Sequence, residues 1–251
     1  FKGDVVEATK ILTEFKSESP ALLKKKVLLE AKIDLANEAY DLAITKLTKL
    51  VKSPEYLSKR AVNNAVITLA DARYANGDSA AALDDLFTFS EKNKSTGMLS
   101  PLFSRIGRWL PTDTKLSDSN VLKLKEWAGR NGSQQNAISE QKLQSNPELS
   151  AFSHFYYATQ LAKSEDPASL SKALFEFSLL RLNHPTYITF GMSLMETAEI
   201  QLKLEQDAEA IDTLKDVQNL SITISPVTKQ QAAFISGQLL AEKMDYVSAT
   251  E

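Results

Sequence analysis

Cysteine is absent from the 251 residues. That excludes disulfides, thiolate metal sites and cysteine nucleophiles, and it leaves the redox compartment unassigned. Glycine and proline are scarce, at eight each, which argues against a β-rich or loop-rich chain with its many turn residues. No apolar run reaches the roughly 18–20 residues that a membrane span needs. The two histidines, His154 and His184, have no further histidine or cysteine at ligand spacing. The phosphate-loop patterns G-x-x-x-x-G-K-[ST] and G-x-G-x-x-G, the nucleophile elbow G-x-S-x-G and the zinc motif H-E-x-x-H are all missing. The opening Phe1-Lys2-Gly3-Asp4 carries no signal peptide and reads as a cut through a longer protein. The sequence assigns no compartment.

What is present is helix-forming. Apolar residues make up 43% and charged residues 24%, the balance of an ordinary globular chain, and leucine, alanine, lysine and glutamate dominate long stretches. The fold class is all-α. Net charge is −3, unevenly placed: residues 1–125 hold 20 Lys/Arg against 16 Asp/Glu, and residues 126–251 hold 9 against 16. The acidity of the second half argues against nucleic acid as a partner.

A phrase recurs. Gly3-Asp4-x4-Ala8-x3-Leu12-x2-Phe15-x4-Pro20 returns as Asp166-x6-Ala173-x3-Phe177-x2-Leu180-x4-Pro185. Taking the alanine as a register mark finds three more, Ala43, Ala82 and Ala210. At every mark the residues at +4 (Leu12, Leu47, Leu86, Phe177, Leu214) and +7 (Phe15, Leu50, Phe89, Leu180, Val217) are apolar. Those offsets share one helical face, and a small residue lets a neighbouring helix approach. Each mark therefore belongs to the second helix of a packed pair. Ala70 and Ala198 lie twelve residues ahead of Ala82 and Ala210, inside the preceding first helix, and Gly237 lies twelve ahead of Ala249. The turns Asn76-Gly77-Asp78, Ser164-Glu165-Asp166-Pro167 and Glu205-Gln206-Asp207 supply capping oxygens. Pro20, Pro54, Pro147, Pro185 and Pro226 fall between pairs.

Residues 91–150 interrupt the pattern and hold both tryptophans, Trp109 and Trp127. Helices are expected over 98–110, 120–130 and 134–144, with a turn at Gly129–Ser133. Ser221–Ser225 is expected as an extended connector.

Several residues invite a chemical reading. His184 closes a helix before Pro185, and His154 sits in an aromatic cluster; both are expected as structural side chains rather than ligands or bases. Asp84 and Asp85 are adjacent on a helix, about 100° apart, and cannot share a substrate atom; a solvated face is expected. Lys24-Lys25-Lys26 reads as a soluble surface. No catalytic, metal or cofactor site is expected.

The alanine register, the apolar +4 and +7 positions and the prolines between pairs resemble the tetratricopeptide repeat. The likeness covers residues 1–90 and 150–251. The marks are spaced 35, 39, 91 and 37 residues rather than a steady 34, and the early tryptophan of the family's first helix is missing, so the repeats are degenerate. The resemblance implies a right-handed superhelical α-solenoid of antiparallel helix pairs. Its organisation would be a block at 1–95, an irregular helical connector at 96–147 packed into the solenoid, and a second block at 148–251. It also implies a non-enzymatic scaffold that binds a protein or peptide in the concave groove lined by first helices. By register that groove would present Lys25, Lys32, Asn64, Asp71, Tyr74, Phe155, Thr159, Glu199, Lys203, Gln231 and Gln238. No membrane insertion is expected. Two other readings stand beside this one: homodimerisation through repeats truncated at the termini, and an accessory domain of a larger envelope complex or of an enzyme whose catalytic part lies elsewhere.

Overall fold

A computed structural model describes residues 2–92, 99–110, 118–128, 147–164, 166–186, 188–220 and 225–242. Among these residues every regular element is a helix. They are α1 (Lys2–Glu14), α2 (Pro20–Ala36), α3 (Tyr40–Lys52), α4 (Lys59–Ala75), α5 (Ser79–Lys92), α6 (Ser100–Trp109), α7 (Ser119–Ala128), α8 (Pro147–Ala162), α9 (Pro167–Asn183), α10 (Ile188–Lys203), α11 (Asp207–Asn219) and α12 (Pro226–Glu242). The chain divides into two compact units, Phe1–Leu110 and Pro111–Glu251. The helices expected over 98–110 and 120–130 are α6 and α7. The third expected helix, 134–144, the turn at 129–133 and most of the 221–225 connector lie outside the described residues.

In the N-terminal unit α1 packs on α2, α2 on α3, α3 on α4, α4 on α5 and α5 on α6, and α2 also touches α4. In the C-terminal unit α7 packs on α8, α8 on α9, α9 on α10, α10 on α11 and α11 on α12, and α8 touches α10. Each unit is thus a run of consecutive helix pairs in which alternate, first-position helices also meet.

The same turn joins the pair three times. After α2, Glu38 N–H donates to the Leu35 carbonyl and Ala39 N–H to the Asp34 carbonyl; Gly77 and Asp78 repeat this onto Tyr74 and Arg73, and Glu205 and Gln206 onto Leu202 and Gln201. This is a Schellman closure, which satisfies carbonyls stranded at a helix end and requires a left-handed residue. Gly77 fills that position at φ 89°, whereas Glu38 and Glu205 adopt it at 62° and 59°. The residue that ends the turn then starts the next helix: the carbonyls of Ala39, Asp78 and Gln206 accept from Ala43, Ala82 and Ala210. The alanine marks therefore occupy one geometric place. Side-chain caps reinforce some starts, with Asp78 accepting from Ala81 N–H at 3.1 Å and Asp166 from Ser169 N–H at 3.0 Å.

A second signature recurs across the same three pairs. Asp34 meets Lys46 at 2.7 Å, Arg73 meets Asp85 at 3.1 Å, and Thr213 donates to Gln201 at 2.8 Å. Each bridge joins the residue five before the turn's last residue to the one three after the mark. The chemistry changes, from ion pair to reversed ion pair to neutral hydrogen bond, while the register holds. Asp85 is therefore not part of a solvated face as the sequence suggested. It is half-buried against Arg73, and burial pushes its carboxyl above the usual range.

Ala43, Ala82, Ala173 and Ala210 are fully enclosed, as are Leu47, Leu86 and Phe177, and Leu214 nearly so. The alanines on the first helices, Ala31, Ala70 and Ala198, are equally closed off. Alanine on both helices brings the pair close, and the larger side chains fill the space on either side. Around this contact Leu28, Leu50 and Leu69 complete the core of the α2–α4 region, and Leu194, Val217 and Ala232 that of the α10–α12 region.

In α9 the register differs. The Asp166 carbonyl accepts from Leu170 N–H at 3.0 Å, so Leu170, not Ala173, stands where Ala43, Ala82 and Ala210 stand. Ala173 lies three residues deeper. Twelve residues before Leu170 is Ala158, fully buried like Ala31, Ala70 and Ala198. Geometric equivalents are then 39 residues apart from Ala43 to Ala82 and 40 from Leu170 to Ala210.

Candidate functional site

The first helices carry the candidate site, because their partner-facing sides hold the core and the opposite sides are left to other contacts. With Ala31, Ala70, Ala158 and Ala198 as anchors, the next residue along is Lys32, Asp71, Thr159 and Glu199. The structure treats Asp71 differently from the other three.

In the N-terminal unit α6 lies over α4. The Asp71 carboxylate accepts from Arg105 Nε at 2.7 Å and from Arg105 Nη2 at 2.9 Å, a two-pronged charge-assisted contact. Tyr74 stacks on Trp109 with ring centroids 4.4 Å apart and planes within 8°. Asp71 is thus engaged within the unit, while Tyr74, though stacked on Trp109, stays 42% exposed. Asn64 is half-buried, and Lys25 is exposed. Lys32 is exposed at the rim of an apolar groove of about 440 Å³ between α1 and α2, walled by Val5, Ile11, Leu12, Leu29 and Ile33. The neighbouring lysines are tied down: Lys24 donates to the Ser53 carbonyl and pairs with Glu55 at 2.9 Å, and Lys26 donates to the Phe15 carbonyl at 3.1 Å.

In the C-terminal unit the equivalent face is open and charged. Thr159, Ala162 and Lys163 from α8 and the residues after it meet Glu196, Glu199, Ile200 and Lys203 of α10 around a cavity of about 180 Å³. Lys203 Nζ donates to the Ala162 carbonyl at 3.3 Å, holding a cation against the last turn of α8, where the helix dipole favours one. The Thr159 hydroxyl donates to the Phe155 carbonyl at 3.0 Å. Burial pushes the Glu196 carboxyl up to about 7, with the charge of Glu199 adding to the rise and Lys203 and Lys163 opposing it. Burial also holds the Lys163 ammonium below its ordinary range, against the favourable pull of Glu196.

Of the residues the sequence singled out, Thr159, Glu199 and Lys203 come together here. Gln231 and Gln238 are exposed on α12. Phe155 is a correction: it is 3% exposed and packs against Tyr156 and Phe177. It lies three residues before Ala158, the place that Leu28 and Ile67 occupy before Ala31 and Ala70, and all three are buried. Counting from Ala173 had turned it outward. Sequence reasoning missed Lys163 and Glu196. Lys163 is five residues after Ala158 as Lys203 is after Ala198, so the corrected anchor would have paired the two lysines.

The histidines belong to the interior. His154 Nε2 lies 2.7 Å from Glu176 Oε2, and His184 Nε2 lies 3.2 Å from Ser150 Oγ. Both rings are buried, and Ser150 is 3% exposed. Burial, aided by the charge of His154, lowers His184 to about 4, which keeps that ring neutral near neutral pH. A serine and histidine in hydrogen-bonding range form no working nucleophile when no substrate can reach them. Among the described residues no three His, Asp or Glu side chains converge as a metal site, and no described helix is long and apolar enough to cross a membrane.

Comparison of the chain with family models, with curated proteins and with solved structures finds no match.

Proposed function

We propose that this protein is a non-enzymatic interaction scaffold whose helix pairs stack as a right-handed, tetratricopeptide-like α-solenoid and whose first helices hold an extended peptide or a partner helix. One observation carries the reading: the same turn and cross-pair bridge recur in both units, and an open cleft with charges of both signs lies between first helices α8 and α10. A stacked array keeps side chains of its first helices free of core duty, and such surfaces serve recognition. The repeated period is 39–40 residues, longer than the 34 of the family these repeats resemble.

The test is affinity capture from a lysate of the source organism, comparing the wild-type chain with a Thr159→Ala, Glu199→Ala, Lys203→Ala triple variant of unchanged helicity. A protein that the wild type retains and the variant loses supports the scaffold. Retention of the same proteins by both contradicts it.

A second reading, self-assembly, is favoured by the α1–α2 groove, where Ile11 is 58% and Leu29 49% exposed. A mass by light scattering that rises with concentration, and stays monomeric in Ile11→Asp, supports that reading; a monomer at all concentrations contradicts it.

A further inference from the structure

The groove between α1 and α2 has a counterpart in the C-terminal unit. On α10, the wall toward the preceding first helix α8 is made by Glu196, Glu199, Ile200 and Lys203. Counted from the anchors Ala198 and Ala31, the same four places on α2 are Leu29, Lys32, Ile33 and Ala36, and these line the groove. The face that receives a first helix on α10 is thus open on α2. The other wall is α1, with Ala8 and Leu12 in the pattern of a second helix. The groove is the seat of a first helix, apolar on both sides.

A first helix with the complementary face bare stands at the far end of the register. Ala232 and Leu239 of α12 flank Gly237 at the spacing with which Ala65 and Ala72 of α4 flank Ala70, and both sets pack on the pair before them. Gly237 is therefore the anchor of α12. Three residues before the anchor, Leu28, Ile67 and Phe155 are buried, and Phe155 reaches Phe177 on its own second helix. In α12 that place is Phe234, which is 67% exposed. The charges also match. Glu242 holds the place of Lys163 and Lys32 that of Glu199, so the α8–α10 cleft recurs with its signs exchanged.

Resting on the self-assembly reading above, we propose that α12 of one copy seats in the α1–α2 groove of a second copy, as the first helix of a pair whose second helix is α1. Gly237 and Ala8 allow the close approach that alanines allow in the other pairs, and burial of Phe234 in the apolar groove drives the contact. The opposite charge balance of the two halves, 20 Lys/Arg against 16 Asp/Glu and 9 against 16, draws the C-terminal half of one copy to the N-terminal half of another. Because the contact joins unlike faces, it runs head to tail.

The experiment is sedimentation velocity on the 251-residue chain over a range of concentrations, with Ile11→Asp and Phe234→Asp run alone and mixed in equal amounts. Both side chains are more than half exposed, so neither substitution empties the core. The wild type is expected to associate as its concentration rises. Each variant alone is expected to stay monomeric, because a carboxylate on either face must be buried unpaired on docking. The mixture is expected to form a dimer of one copy of each, since each variant keeps the face that the other has lost. Association of Phe234→Asp at wild-type strength, or a mixture that stays monomeric, overturns the assignment of α12 while wild-type association still upholds self-assembly. A wild type that is monomeric at every concentration overturns both.

Discussion

Asp71 in the N-terminal unit and Thr159 and Glu199 in the C-terminal unit put the same register position to opposite uses. In the N-terminal unit the residue after Ala70 is Asp71, and Arg105 of α6 occupies both its carboxylate oxygens while Trp109 stacks on Tyr74. In the C-terminal unit the residues after Ala158 and Ala198 are Thr159 and Glu199, and they border an open cleft. One position therefore serves cohesion where the next first-helix side chains complement it, and remains available where they do not. A repeat fixes where a side chain stands; the neighbour decides whether it is structural or functional. The cross-pair bridges teach the same point, since Asp34–Lys46, Arg73–Asp85 and Gln201–Thr213 share geometry without sharing chemistry.

The sharpest way to break the comparison is through the cores. Phe177→Ala in the C-terminal unit and Leu47→Ala in the N-terminal unit both empty fully buried sites. Losses of about 3–5 and 2–5 kcal/mol respectively are expected. Site-resolved hydrogen exchange is expected to show each loss confined to its own unit; protection lost equally in both units would contradict the division.

Acid separates the units next. His184 sits at about 4, below its ordinary 6.5, so the unfolded chain binds the proton first and stability falls as pH drops from 6.5 to 4. Glu196 is displaced the other way, from 4.5 up to about 7, so the folded chain holds the proton and stability falls as pH rises across that window. The two slopes oppose each other between 4.5 and 6.5. Glu196→Gln is expected to raise stability by about 1–3 kcal/mol above pH 7 and to leave only the histidine slope. The N-terminal unit holds no histidine and is expected to lack that slope, as exchange protection against pH would report.

Much of this was legible beforehand. Ala43, Ala82 and Ala210 marked the second helices because close helix contact admits little but alanine, and the prolines and capping residues bounded the helices around them. The face assignment failed at Phe155 because Ala173 satisfies the same apolar pattern one turn too deep. Periodicity cannot separate two alanine-compatible turns of one helix, whereas the Asp166 cap, which fixes where the helix begins, does. The contacts of Asp71 and Tyr74 with α6 were not legible at all. Arg105 and Trp109 lie 34 and 35 residues away in the least regular part of the chain, and only packing brings them across.

Smaller effects sharpen the contrast further. Arg105→Ala is expected to destabilise the N-terminal unit by about 1 kcal/mol, the scale of a partly exposed, two-pronged ion pair, with the C-terminal unit unmoved in urea titrations followed by exchange. At the shared turn, Glu205→Gly removes the steric cost of a left-handed glutamate at φ 59°. A gain of about 0.5–1 kcal/mol in the C-terminal unit is expected, and Glu38→Gly should act likewise in the other. No gain at either site would show that the turn imposes no strain.

The most direct test of the scaffold is a hydrogen-exchange footprint of the chain with a partner captured by it. The account expects new protection on the first helices of the C-terminal unit, at 159–162 of α8 and 196–203 of α10. Protection confined to the second helices α9 and α11, with those segments unchanged, would contradict it.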